Sequence, residues 1–160
     1  MKGRIAKLII IEDDLTGKAI RALLKAHFDH MHAVTPAGSA HVLDIESLQS
    51  PDITFWSIWD AETLAGCGAL KALDGRSGEV KSMRTVASYR RMGVASQMLS
   101  HIVTVANQRG YESLCLETGS FPAFQAARAF YAKHGFTYRS PFAGYTDDPN
   151  SVFMTKRLIS

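Results

Sequence analysis

Apolar and polar residues change period several times along the chain, and each change marks an element. From Arg4 to Glu12 the run is rich in isoleucine and reads as a strand, ended by Glu12-Asp13-Asp14. Asp14-Leu15-Thr16 then offers side-chain oxygens suited to capping a helix that runs through about His30. Its apolar Ile20, Leu23, Leu24 and Phe28 recur at helical spacing. A loop with Pro36 and Gly38 leads to a short helix around His41 to Leu48, stopped near Ser50-Pro51. Ile53 to Trp59 and Leu64 to Leu73 read as a hairpin about Asp60-Ala61-Glu62-Thr63. The turn Asp74 to Gly78 brings in a third antiparallel strand, Glu79 to Val86. Strict alternation there puts Val80, Ser82, Arg84 and Val86 on one side and Glu79, Lys81, Met83 and Thr85 on the other.

From Ala95 the period lengthens. Ala95, Met98, Leu99, Ile102, Val105 and Ala106 share one helix face, closed by Arg109-Gly110. A strand Ser113 to Thr118, a helix from about Phe124 to His134, a strand from Phe136, an irregular segment with Pro141 and Pro149, and a strand Val152 to Leu158 complete the chain. The order is one strand, two helices, a three-stranded meander, helix, strand, helix and two strands. No repeat, low-complexity run or interdomain linker interrupts it, so residues 1–160 are expected to form one α/β domain.

The junction Ala87 to Gly93 carries the chemistry. At a helix start the first-turn N–H groups have no intrahelical partner and hold the positive end of the helix dipole, which suits an anion. Gly93 removes a side chain where phosphates would approach the backbone, and Arg90 and Arg91 bring guanidinium donors to the same edge. Neither a Gly-Lys-Ser/Thr phosphate loop nor a Gly-x-Gly-x-x-Gly fingerprint is present.

The order Arg90-x-x-Gly93-x-Ala95 resembles the Arg/Gln-x-x-Gly-x-Gly/Ala signature of the GCN5-related N-acetyltransferase (GNAT) superfamily. The element order is also that family's, over nearly the whole chain, and Tyr131-Ala132-Lys133-His134-Gly135-Phe136 resembles its Tyr-x-x-x-Gly-Phe box. The stretch Phe124-Gln125-Ala126 departs from the family, which commonly has Asn there. The tail from Tyr145 to Met154, with Leu116 to Gly119, is similar to a bacterial subgroup of small-molecule acetyltransferases.

The resemblance implies a mixed α/β fold with a mostly antiparallel, twisted central sheet flanked by helices. It implies acetyl-CoA as cosubstrate, its pyrophosphate held by the turn Arg90, Arg91, Met92, Gly93, Val94 and Ala95. Its pantetheine would pair with the backbone of Met83 and Thr85 like a further strand. Amine acetylation needs a neutral amine and a protonated leaving thiolate. By similarity Glu79 is the candidate base and Tyr131 the candidate acid. The residues alone leave other readings open: Glu79 as an edge-strand carboxylate paired with Lys81 or Arg76, and Tyr131 as a core aromatic. Arg128 and Lys133 read as solvated helix-face cations.

His27, His30, His32 and His41 cluster around the exit of the first helix. In the family this region walls the acceptor pocket, so His30, His32 and His41 are candidate substrate contacts, and a small amine with an acidic group is the expected acceptor. A histidine-based metal site, or a catalytically inactive CoA-binding sensor or interaction domain, are the alternatives; no metal is expected. Asp147, Asp148 and Asn150 read equally as a turn before the last strand.

Charge refines this picture. The net charge is +3 and the pI about 9.0, yet six basic residues and only two acidic ones lie between Lys71 and Arg91. The excess is local, as a phosphorylated ligand would want, and no basic tail or aromatic-basic alternation suggests nucleic acid. With 46% hydrophobic residues and no apolar run near 18, a buried core is expected and a membrane span is not. Met1 to Arg4 does not begin a secretory signal, so a cytoplasmic location is expected. Cys67 and Cys115 lie in apolar strands and read as reduced core residues. The family commonly dimerises, so a homodimer is compatible with the sequence.

Overall fold

The computed structural model describes residues 7–36, 38 and 43–158. Its elements in order are β1 (Leu8–Glu12), α1 (Lys18–Val34), α2 (Ile45–Leu48), β2 (Ile53–Asp60), β3 (Thr63–Asp74), β4 (Ser77–Thr85), α3 (Val94–Gln108), β5 (Ser113–Gly119), α4 (Gln125–Lys133), β6 (Thr137–Arg139) and β7 (Ser151–Arg157). The seven strands form one sheet in the order β1-β2-β3-β4-β5-β7-β6, antiparallel everywhere except between β4 and β5. This is the expected mixed, mostly antiparallel α/β sheet flanked by helices.

Alternation along the strands divides the core into two layers. Ile58, Leu70, Val80, Leu114, Leu116 and Met154 pack against Met98, Leu99, Ile102 and Ala106 of α3 and Tyr131 of α4. On the opposite face Phe55, Cys67 and Ala69 meet Ile20 and Leu24 of α1 and Leu48 of α2. Farther along that face, Cys115 and Phe153 are covered by Phe142, with Tyr145 packed alongside. Burying such side chains is worth about 1.5–3 kcal/mol each. Among the described residues no helix is long and apolar enough to cross a membrane.

Three local readings change. Asp13 and Asp14 do not cap α1: they accept from the N–H groups of Leu15 and Thr16, closing tight turns, and Gly17 is the N-cap with no side-chain hydrogen bond. The helix continues one turn beyond His30, to Val34. The short helix begins only at Ile45, where Asp44 caps it by accepting from Ser47 N–H at 2.8 Å; His41 and Val42 lie outside the described residues.

A further change, in β4, matters most. Cys67 pairs with Arg84 and Ala69 with Lys81, so Gly68 alone stands opposite Ser82 and Met83, a β-bulge in which Ser82 takes a φ of 56°. Alternation breaks there. Val80 and Met83 both pack toward α3, while Arg84, partnered with Cys67, lies on the α1 face together with Glu79 and Lys81. A Cβ on Gly68 would stand 2.7 Å from Met98 Cγ and 2.9 Å from Met83 Sδ, so only glycine allows this approach.

Candidate active site

β4 and β5 pair over three rungs only, Ser77 with Ser113, Gly78 with Leu114 and Glu79 with Cys115. Beyond Glu79 the ladder stops, and among the described residues the β5-facing backbone groups of β4, toward Met83 and Thr85, lack a strand partner. β4 then gives way to a single 3₁₀ turn, Ala87–Tyr89, and to the N-terminus of α3. Arg91 and Gly93 both have positive φ, 65° and 83°, which folds the backbone sharply ahead of Val94. Gly93 is the N-cap and supplies no side-chain cap, and space around its missing Cβ is open. Arg90 and Arg91 are exposed beside it. The turn is therefore an uncapped, glycine-opened helix start flanked by two cations, which fits a pyrophosphate.

Glu79 occupies the last rung before the gap. Its side chain is buried, 3% exposed, in the middle of the sheet, not at an edge. Oε2 accepts from the Tyr145 hydroxyl at 2.6 Å and from Lys81 Nζ at 3.1 Å, and Lys81 also donates to Tyr145 Oη at 3.1 Å. Lys81, not Arg76, is thus the cation beside Glu79. Burial and the negative charge of Glu79 push the Tyr145 hydroxyl pKa up, so it remains a donor. Glu79 Oε1 makes no hydrogen bond among the described residues. Among the described residues, one carboxylate oxygen is held and the other is not.

Tyr131 lies on the opposite layer, in α4, with its ring edge-on to Phe130 and Phe136 at 5.3 and 5.6 Å. Burial pushes its hydroxyl pKa up as well, which keeps the proton in place. Gly135, at φ 91°, ends α4, and Phe136 returns to the core.

The histidines separate by helix phase. His30 and His32 are exposed, and His32 stacks on Phe28 at 4.3 Å between ring centres. His27, one turn beyond Leu24 on the inner face of α1, is turned inward, with Nδ1 buried and without a partner among the described residues. Burial, then the charges of Arg84 and His30, hold its pKa down to about 4, so the ring is neutral at pH 7. Among the described residues, no group of three or more His, Cys, Asp or Glu is arranged to hold a metal ion.

Several other side chains prove structural. Arg128 donates to the carbonyls of Gly119 at 2.7 Å and Phe121 at 2.9 Å, clamping the end of β5 where solvation was expected. Asp148 builds the turn before β7 by accepting from Asn150 N–H at 2.8 Å. Cys67 and Cys115 are free and buried, and burial pushes the Cys67 pKa up to about 12, far from a nucleophilic thiolate. A concavity of about 790 Å³ at the C-terminal end of α3, lined by Tyr111, Glu112, Gly135 and Leu158, contains none of the candidate catalytic, cosubstrate or acceptor residues.

Comparison with known proteins bears on this geometry. The profile of the Acetyltransferase (GNAT) family matches residues 18–136. The uncharacterized N-acetyltransferase YsnE of Bacillus subtilis is 56% identical over 146 residues, 91% of this chain and 97% of its own length. The uncharacterized N-acetyltransferase YedL of Escherichia coli is 49% identical over 146 residues, 91% of this chain and 92% of its own. An IAA acetyltransferase of Azospirillum brasilense is 42% identical over 126 residues, 77% and 80% of the two chains. A Klebsiella pneumoniae structure assigned as an acyl-CoA N-acyltransferase superposes with a TM-score of 0.77 at 27% identity, covering 96% of this chain and 99% of that one. An Elizabethkingia anophelis acetyltransferase with acetyl-CoA bound shares the fold, with a TM-score of 0.68 at 14% identity, covering 96% of this chain and 99% of that one.

Proposed function

This chain belongs to the acetyltransferase (GNAT) family and is an N-acetyltransferase; from that premise we propose that it transfers the acetyl group of acetyl-CoA directly to the primary amine of a small molecule, with no covalent enzyme intermediate. The observation that carries this reading is Glu79, buried where β4 and β5 part, with Oε2 held by Tyr145 and Lys81 and Oε1 without a partner among the described residues. The IAA acetyltransferase among the relatives is in keeping with a small-molecule acceptor.

The turn fits the cosubstrate, which would supply the acyl group as an activated thioester. Arg90 and Arg91, with the backbone of Met92, Gly93, Val94 and Ala95, would hold the pyrophosphate. The backbone of Met83 and Thr85 would pair with the pantetheine amides in the gap beside β5.

A lysine-like amine has a pKa of about 10.4 and is almost wholly protonated at pH 7. Glu79 would take that proton through Oε1, directly or by way of a water. The neutral nitrogen then bonds to the thioester carbon, the C–S bond breaks, the sulfur leaves with the bonding pair and accepts a proton, and the nitrogen releases its second proton to solvent, from which the acid is reprotonated. Tyr131 is the donor we assign to that step. A general base or acid of this kind contributes about 10²–10⁴ in rate.

Melting temperature with and without acetyl-CoA, in the wild type and in Gly93→Glu, tests the cosubstrate site. Ligand at 100 times its dissociation constant should stabilise the wild type by about 2.7 kcal/mol and leave the variant unmoved. Thiol release with a panel of amines then tests transfer. No shift at millimolar ligand would overturn the cosubstrate site. A shift with no acetylation of any amine, unaltered by Glu79→Gln, would instead mark an inactive CoA-binding domain.

A further inference from the structure

We propose that Arg84 of β4 and His27 of α1 form a carboxylate-binding site, so that the amine acetylated here belongs to a molecule that also bears a carboxylate, as an amino acid does. The inference deepens the N-acetyltransferase reading above and rests on it for the placement of the amine at Glu79.

The bulge at Ser82 and Met83 creates the site. Without it, strict alternation would set Arg84 on the same side as Val80, toward α3. With it, Arg84 lies beside Cys67, whose side chain packs with Ile20 and Leu24 of α1. His27 continues that inner face of α1 one turn on, close enough for the Arg84 charge to act on its ring. Both residues therefore occupy the space between α1 and the sheet, on the face that Glu79, Lys81 and Tyr145 occupy farther back along β4.

The charges on this face do not balance. Lys81 is matched by Glu79 at 3.1 Å. Arg84 is partly buried, and among the described residues its guanidinium has no hydrogen bond and no acidic partner. A guanidinium withdrawn from water without a counter-charge is poorly placed, and its planar fork matches a carboxylate in a bidentate pair. His27 adds a neutral ring whose Nδ1 is buried and has no partner among the described residues. Protonated at Nδ1, that ring can donate to the same anion without adding charge. Arg90, whose charge also acts on Arg84, is assigned above to the pyrophosphate; the cation and neutral donor that remain suit a singly charged ligand.

Spacing limits the size of the acceptor. Glu79 and Arg84 are five residues apart on one strand, so at about 3.3 Å per residue their Cα atoms lie on the order of 13–16 Å apart. Strand side chains stand roughly perpendicular to the sheet and close only part of that distance, so the acceptor is a small molecule whose amine and carboxylate lie at opposite ends.

Calorimetric titration of the full chain, saturated with coenzyme A, tests the site without requiring chemistry. The probes are the N-acetyl derivatives of the protein amino acids and the matching N-acetyl amides. At least one acid should bind ten times more tightly than its amide. Arg84→Gln should erase that preference while leaving the affinity for coenzyme A unchanged, and Arg84→Lys, which keeps charge but loses the fork, should retain part of it. His27→Gln should weaken the acid about threefold. Acids and amides that bind alike, failure of both classes to bind, or a preference that survives Arg84→Gln would each overturn the proposal. A clear acid preference with no acetyl transfer to the parent amino acids would keep this site and sink the catalytic reading.

Discussion

β4 shows two different surfaces to its two neighbouring layers. Toward α3 it presents Val80 and Met83, which close on Met98 and Ile102 in tight apolar packing. Toward α1 it presents Glu79, Lys81 and Arg84, ionisable groups drawn inside or nearly so. Large hydrophobic side chains gain free energy from burial, whereas charged groups lose it unless each finds a partner. One face therefore serves stability, and the other holds ionisable groups at a cost in stability. Substitutions on the two faces should separate cleanly in what they damage.

Glu79→Gln gives the largest expected effect. It should lower kcat for acetyl transfer by about 10²–10⁴, with acetyl-CoA still raising the melting temperature. A loss under tenfold would make Glu79 a structural partner of Lys81. On the apolar face, Ile102→Ala should cost about 2–5 kcal/mol in denaturant unfolding, with kcat nearly unchanged while the protein is folded. Equal damage to kcat would mean the two faces are not independent.

His27 links the polar face to pH. Its pKa is about 4 in the folded protein and about 6.5 in the unfolded chain. As pH falls below 6.5 the unfolded chain takes up the proton first. Stability present above pH 6.5 is therefore lost progressively down to about pH 4, by at most about 1.4 kcal/mol per unit. Unfolding midpoints at pH 7 and pH 5 should differ less in His27→Gln than in the wild type.

Tyr145→Phe removes one of two donors from Glu79 Oε2 and should reduce kcat by about tenfold, less than loss of the carboxylate itself. The smallest effect belongs to neither face. Lys25 and Asp29 form an exposed pair on α1, and Lys25→Ala should change stability by no more than about 0.5 kcal/mol.

Much of this was readable in the sequence because local signals agreed with the fold. The meander follows from two strong turns, and the α3 start from a change of period at a glycine. What escaped the sequence depends on distant parts of the chain. The bulge requires Gly68 on a different strand to admit Met83, and the pattern of β4 alone suggests an unbroken alternation. Tyr145 reaches Glu79 across 66 positions, through an irregular segment with no periodicity to read. His27 points inward because Ile20 and Leu24 set the rotation of α1, so the more conspicuous His30 and His32 face outward. Arg128 looked like a surface cation until β5 ended beside it.

The three-rung junction between β4 and β5 has a consequence for hydrogen exchange. Strands at the centre of a seven-stranded sheet ordinarily protect their amides longest. Past Glu79, however, the amides of β4 that point toward β5 have no strand carbonyl across from them among the described residues. They should exchange far faster than those pointing toward β3, giving an alternating fast and slow pattern along one buried strand. A ligand that completes the ladder would slow only the fast set, so the exchange times of single residues would show which strand edge it occupies.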